Sequence, residues 1–161
     1  MNGQDFGQDF TVLFEWWKNL ENDRGSRAEL RRAQSPEEVV FCTAYHALFN
    51  RLHWNERDRD KLAAIAGLAA HVKNDTGEEV LLAEQMATPK TGVNPVISNS
   101  RFRRLLAIQS RNELFIPLMR IIKMLDGNAN LRDLAKSVFC WNKKIKKEWA
   151  YSYWKKAPIE K

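Results

Sequence analysis

Cysteine is nearly absent from this chain of 161 residues. Cys42 and Cys140 are too few and too far apart for a disulfide framework, so stability must come from a buried core. Long apolar runs are missing as well. The two longest uncharged stretches, 39–50 and 62–72, fall short of the about 20 apolar residues that cross a bilayer. The opening Met1-Asn2-Gly3-Gln4-Asp5-Phe6 lacks the basic-then-apolar order of a secretory leader. A soluble, cytoplasmic protein with no membrane partner is the expectation.

Catalytic motifs are lacking too. There is no phosphate-binding glycine loop, no nucleophile elbow and no metalloprotease helix. The helical ribonuclease spacing R-x-x-x-x-H is absent, because Phe41, Leu48 and Ala66 stand five residues before His46, His53 and His71. Cys42 and His46 are four apart, but without a second ligand pair a zinc site is improbable. The acidic pairs Glu37-Glu38 and Glu78-Glu79 sit at helix starts, where the helix dipole accounts for them. No cofactor, no metal and no enzymatic activity are expected.

What the chain does have is apolar material and positive charge. A 44% hydrophobic content, with eight Phe, six Trp and three Tyr, is enough for a folded core. The formal net charge of +6 is unevenly divided. Residues 1–97 hold 11 basic and 15 acidic side chains, a net of −4, whereas residues 98–161 hold 15 basic and 5 acidic, a net of +10. Such a field attracts phosphate backbones or anionic membranes. Because the aromatic residues are needed for a core, nucleic acid is the preferred partner.

The periodicity is helical throughout. Phe10, Leu13, Phe14, Trp17 and Leu20 recur at the spacing of one helix face. Trp16 and Trp17 point about 100° apart, so at most one is expected at the centre of the core. Ser26 can cap a short helix to Ala33. Ser35-Pro36-Glu37-Glu38 combines an N-cap, a first-turn proline and a capping box. The helix it opens is expected to carry Phe41, Tyr45, Leu48, Phe49 and Leu52 on one side. Further helices are predicted over 57–72, 78–86, 101–109, 111–125 (kinked at Pro117), 130–142 and 143–156. Residues 88–100 contain Pro89, Gly92 and Pro95 and coincide with the change of charge sign. The prediction is an all-α protein of two small helical bundles, 1–88 and 98–161, joined by this Pro/Gly-containing linker.

Three basic clusters are candidate nucleic-acid contacts. The first holds Arg24, Arg27, Arg31 and Arg32, with Arg31 and Arg32 facing out if Leu30 is buried. In the second, Arg101 and Arg104 flank a core face of Phe102, Leu105 and Leu106, with Arg103 on the other side and Arg111 beyond. The third is Lys143, Lys144, Lys146 and Lys147. There Trp141, Ile145 and Trp149, four apart, turn inward. Guanidinium groups bridge phosphate oxygens well. Four positive charges in five residues repel one another, a state a polyanion relieves. Arg27, Arg31 and Arg111 have a structural alternative as partners of nearby acids. Tyr151 and Trp154 are the aromatics expected nearest the surface. A free-standing helical DNA-binding regulator is the alternative function.

The residues Trp17, Leu20, Asp23-Arg24-Gly25-Ser26-Arg27-Ala28-Glu29-Leu30-Arg31-Arg32-Ala33 and Pro36 together resemble the N-terminal signature of the CasB family. These proteins are the small subunits of the type I-E CRISPR surveillance complex, Cascade. The chain length, the basic stretch at Arg101 to Arg104, and Trp141 followed by lysines extend the resemblance. It implies an all-α protein of two bundles, present as two copies head to tail. It also implies contacts with the large subunit and with the backbone subunits that coat the guide RNA. The family helps hold the target and non-target DNA strands of the R-loop, and a separate helicase-nuclease does the cutting. Under this resemblance Arg31, Arg32, Arg101, Arg104, Lys143, Lys144 and Lys147 become DNA contacts. Guide pairing would supply sequence discrimination while protein charge stabilises the opened strands.

Overall fold

The computed structural model describes residues 6–159. Residues 1–5 and 160–161, including most of the segment read above for a leader, lie outside the described residues. Helices dominate, as the periodicity requires, and the chain divides into two compact units, one ending at Ala70 and the other beginning at His71.

The first unit contains α1 (Phe6–Asn19), α2 (Arg24–Arg32), α3 (Pro36–Val39), α4 (Thr43–Leu52) and α5 (Arg59–Ala69). Every residue of α5 from Leu62 to Ala69 is buried, so it is the axis of this unit. Its alanines and Gly67 let neighbours approach closely, and α2, α3 and α4 all pack against it. Both Trp16 and Trp17 are buried, contrary to the expectation of one. The Trp16 indole reaches α4 and donates to the Ala44 carbonyl at 2.9 Å, so the enclosed face of α1 is wider than one stripe.

Local signals fix several helix starts. Ser35 Oγ accepts from Glu38 N–H at 3.3 Å, while the Glu38 carboxylate reaches back to Gln34 N–H at 2.7 Å. Asp23, not Ser26, caps α2, accepting from Ser26 N–H and Oγ–H. These two bonds pull the Asp23 carboxyl below its ordinary pKa. The helix opened at Pro36 does not run on to Leu52. Cys42 is extended, which ends α3 after one turn and starts α4 afresh. Phe41 lies in that break and is 85% exposed rather than part of the core.

The second unit contains α6 (Leu82–Ala87), α7 (Asn99–Leu106), α8 (Arg111–Met124), α9 (Leu131–Phe139) and α10 (Lys143–Lys156). The boundary therefore precedes α6 instead of falling in the 88–100 segment. The reason is that α6 packs along α10. Leu82, Ala83 and Met86 on one helix and Ile145, Trp149 and Tyr153 on the other are all buried. Asp133 accepts from Leu82 N–H at 2.8 Å, and Asn130 is bonded to both Val80 and Gln85. The helix predicted over 57–72 is a 3-10 turn followed by α5, and that predicted over 78–86 begins only at Leu82.

Two strands of two residues, Asn74–Asp75 and Asn128–Ala129, pair in parallel, a feature too short to leave a sequence pattern. Gly127 makes this contact possible. It has φ +78, and its carbonyl accepts from Lys73 N–H at 2.8 Å. A Cβ there would stand 2.7 Å from Lys73 Cγ. Helix α8 continues through Pro117.

Candidate nucleic-acid interface

The start of α10 concentrates cations where a helix tolerates them least. Asn142 caps it by accepting from Ile145 N–H at 3.0 Å. Its first turn holds Lys143, Lys144 and Lys146 and no acid. The dipole places about half a positive charge at this end, so these lysines oppose both the dipole and each other. Among the described residues, none of Lys143, Lys144, Lys146 and Lys147 makes an ion pair. Packing holds the arrangement in place. Trp141, Ile145 and Trp149 are buried, and the two indoles meet edge to face with centroids 5.1 Å apart. Trp141 Nε1 donates to the Ile108 carbonyl at 2.8 Å. Lys143, Lys144 and Lys147 are exposed, and the Lys146 ammonium sits 5.4 Å from the Trp141 ring centre.

Helix α7 carries the second cluster on two flanks, as its spacing predicts. Phe102 and Leu105 are buried and Leu106 is half-buried. Arg101 and Arg104 are exposed on one flank, where they border a groove of about 420 Å³ shared with α8. Its floor is Ile97, Leu105, Ile108, Pro117 and Ile121, and a third guanidinium, Arg120, closes the rim. Arg101 contacts Met124 Sδ at 3.4 Å, and Arg104 donates to Ser100 Oγ at 3.2 Å. On the other flank the Arg103 guanidinium lies 5.9 Å from the Trp154 ring centre. Trp154 is held by its Nε1 bond to Asn99 Oδ1 at 2.7 Å.

Three of the candidate contacts bond backbone carbonyls of the protein. Leu30 is buried as expected, yet Arg31 turns back to donate from Nε to the Ala70 carbonyl at 2.8 Å. Arg27 Nε reaches the same oxygen at 3.5 Å. Ala70 is the C-cap of α5, so both cations serve the negative end of that helix. Burial, together with Arg27, holds Arg31 below the ordinary arginine value. Arg111 donates from Nε to Val138 O at 2.8 Å and from Nη2 to Phe139 O at 2.7 Å, closing the end of α9. These arginines satisfy carbonyls that a helix end leaves without partners. Arg24 and Arg32 are the exposed members of the first cluster.

Arg120 was missed because it stands outside any basic run. Its spacing from Pro117 and Met124, three and four residues away, is the signal that puts it on the face of α8 bordering α7. Among the described residues no group of three metal-ligating side chains occurs, and no helix is long and apolar enough to cross a membrane. His46 Nε2 contacts the Val40 carbonyl at 2.6 Å, and burial pushes the Cys42 thiol up to about 11.

These features define a small helical protein whose second unit presents a cluster of lysines at the start of α10 that no carboxylate pairs among the described residues. The family model for CRISPR-associated protein Cse2 matches residues 26–154, and the chain belongs to that family. Its fold is similar to that of a chain in the crystal structure of E. coli Cascade bound to a PAM-containing dsDNA target. The two are 20% identical, over 91% of this chain and 94% of that one, with a TM-score of 0.73. It is also similar to CasB from Thermus thermophilus, at 19% identity over 91% and 97% of the two chains and a TM-score of 0.67. No curated protein sequence matches it.

Proposed function

We propose that the protein is a non-catalytic small subunit of a cytoplasmic type I-E Cascade complex. There it works beside a second copy of itself, the large subunit and the subunits that coat the guide RNA. Its role is to hold the sugar-phosphate backbone of target and non-target DNA once guide pairing has opened the duplex. Membership of the Cse2 family supports the assembly. The lysines at the start of α10, which make no ion pair among the described residues, support the contact, because their mutual repulsion at a positive helix end is relieved when phosphates arrive. Arg101, Arg104 and Arg120 form the second contact surface and Arg32 a third. Arg27, Arg31 and Arg111, which bond backbone carbonyls, are left out of this proposal. R-loop formation is nearly balanced in energy, so a few charge-assisted contacts of about 1.5–3 kcal/mol each are enough to shift it.

The test is a complex reconstituted with guide RNA and a Lys143→Glu/Lys144→Glu/Lys147→Glu subunit. The expected outcome is normal assembly with a smaller fraction of target DNA held as an R-loop. Failure to assemble would mean that the lysines serve protein contacts, and an unchanged R-loop fraction would remove them from DNA binding.

A further inference from the structure

We propose that Tyr151, at the centre of the outward face of α10, is a stacking platform for a base of single-stranded nucleic acid. The inference rests on the reading above, that this unit carries a strand, and adds a mode of contact that charge alone does not supply.

Turning 100° per residue, α10 buries Ile145, Trp149 and Tyr153 on one side. Tyr151 falls on the opposite side, and it is 83% exposed. Its neighbours on that side are Lys144 and Lys147 toward the N-terminus and Lys155 one turn beyond. Glu148 lies at the edge of the face, and Lys155 makes a long, 3.9 Å contact to Glu84. Lys144 and Lys147 make no ion pair among the described residues. Ala150, Tyr151, Trp154 and Lys155 line an open depression. Its Trp154 wall is fixed by the Asn99 bond and by edge-to-face contact with Phe102. The Tyr151 ring itself touches no other ring among the described residues.

An unsupported aromatic ring set between lysines on one helix face offers a π-surface and phosphate partners at neighbouring positions. Single-stranded DNA or RNA presents these two features together, and duplex DNA does not, because its base faces are already stacked. The positive rim favours a polyanion over an apolar protein surface.

Polarisation titrations of the full chain at low salt, with two labelled oligomers of equal length and charge, test this. One is a thymidine oligomer and the other consists of abasic residues. The wild type is expected to prefer the thymidine oligomer. Tyr151→Ala should weaken that binding between about fivefold and a hundredfold, leaving the abasic affinity and the salt slope unchanged, whereas Tyr151→Phe should retain the preference. The side chain is exposed, so the fold survives its removal. Equal wild-type binding of the two oligomers, or thymidine binding by Tyr151→Ala at the wild-type level, would overturn the platform alone. Absence of salt-dependent binding to either oligomer would overturn the backbone-contact reading with it.

Discussion

The ring of Phe102 lies flat on that of Tyr153, with centroids 3.9 Å apart and planes 7° from parallel. Both side chains are fully buried, and the Tyr153 hydroxyl donates to the Ile97 carbonyl just ahead of α7. One stack thus fastens the arginine helix α7 to the lysine helix α10. Phe102→Ala should cost about 3–5 kcal/mol, and Tyr153→Phe, which strands the Ile97 carbonyl, about 1–3 kcal/mol. Both are read from the midpoint of urea unfolding. A loss under 1 kcal/mol for Phe102→Ala would mean that α7 is held by other contacts.

Arg111 and Arg104 should separate cleanly. Arg111→Ala abandons the Val138 and Phe139 carbonyls and should destabilise by about 1.5–3 kcal/mol, with the salt dependence of DNA binding unchanged. Arg104 is exposed and, among the described residues, bonded only to Ser100, so Arg104→Ala should stay within about 0.5 kcal/mol of wild type. If Arg104 contacts a phosphate, the slope of log affinity against log salt should fall by almost one unit. Paired unfolding and binding titrations of the two variants check both halves.

Asp133 gives the stability a pH dependence of unusual sign for a carboxylate. Burial raises its pKa above 3.8, even though bonds from Leu82 N–H and Ser137 Oγ–H favour the charged form. The folded state therefore holds this proton more tightly than the unfolded chain does. Its stabilising contribution is complete below the unfolded value and is lost as pH rises through the folded one. Asp133→Asn keeps an oxygen for Leu82 N–H. It should flatten the stability–pH curve over the acidic interval that begins at 3.8. Urea midpoints measured across that interval decide it, and a curve parallel to wild type would refute the assignment.

Features set by neighbours in the chain were legible in the sequence. The Ser110 cap on Glu113 N–H is local, and so is the inward turn of Trp141, Ile145 and Trp149 that leaves Lys143 and Lys147 outside. The partners of Arg31 and Arg111 were not legible, because the carbonyls they bind belong to helix ends 39 residues away for Arg31 and 27 and 28 residues away for Arg111. Phe41 kept the right spacing for the core, but the chain changes direction at Cys42 and spacing loses its meaning there. The proline and glycine content of 88–100 marked an irregular segment correctly. What divides the chain is the burial of α6 against α10, a contact between distant residues that composition does not encode.

The α6–α10 contact also constrains how the protein is made. A chain leaving the ribosome can close its first unit from consecutive segments. Leu82, Ala83 and Met86 must wait until about sixty more residues have emerged before the helix that covers them exists. During that interval their apolar side chains are uncovered. The most basic stretch of polypeptide is the one that ends this exposure, so the newborn protein acquires its positive face and its completed second core in the same step.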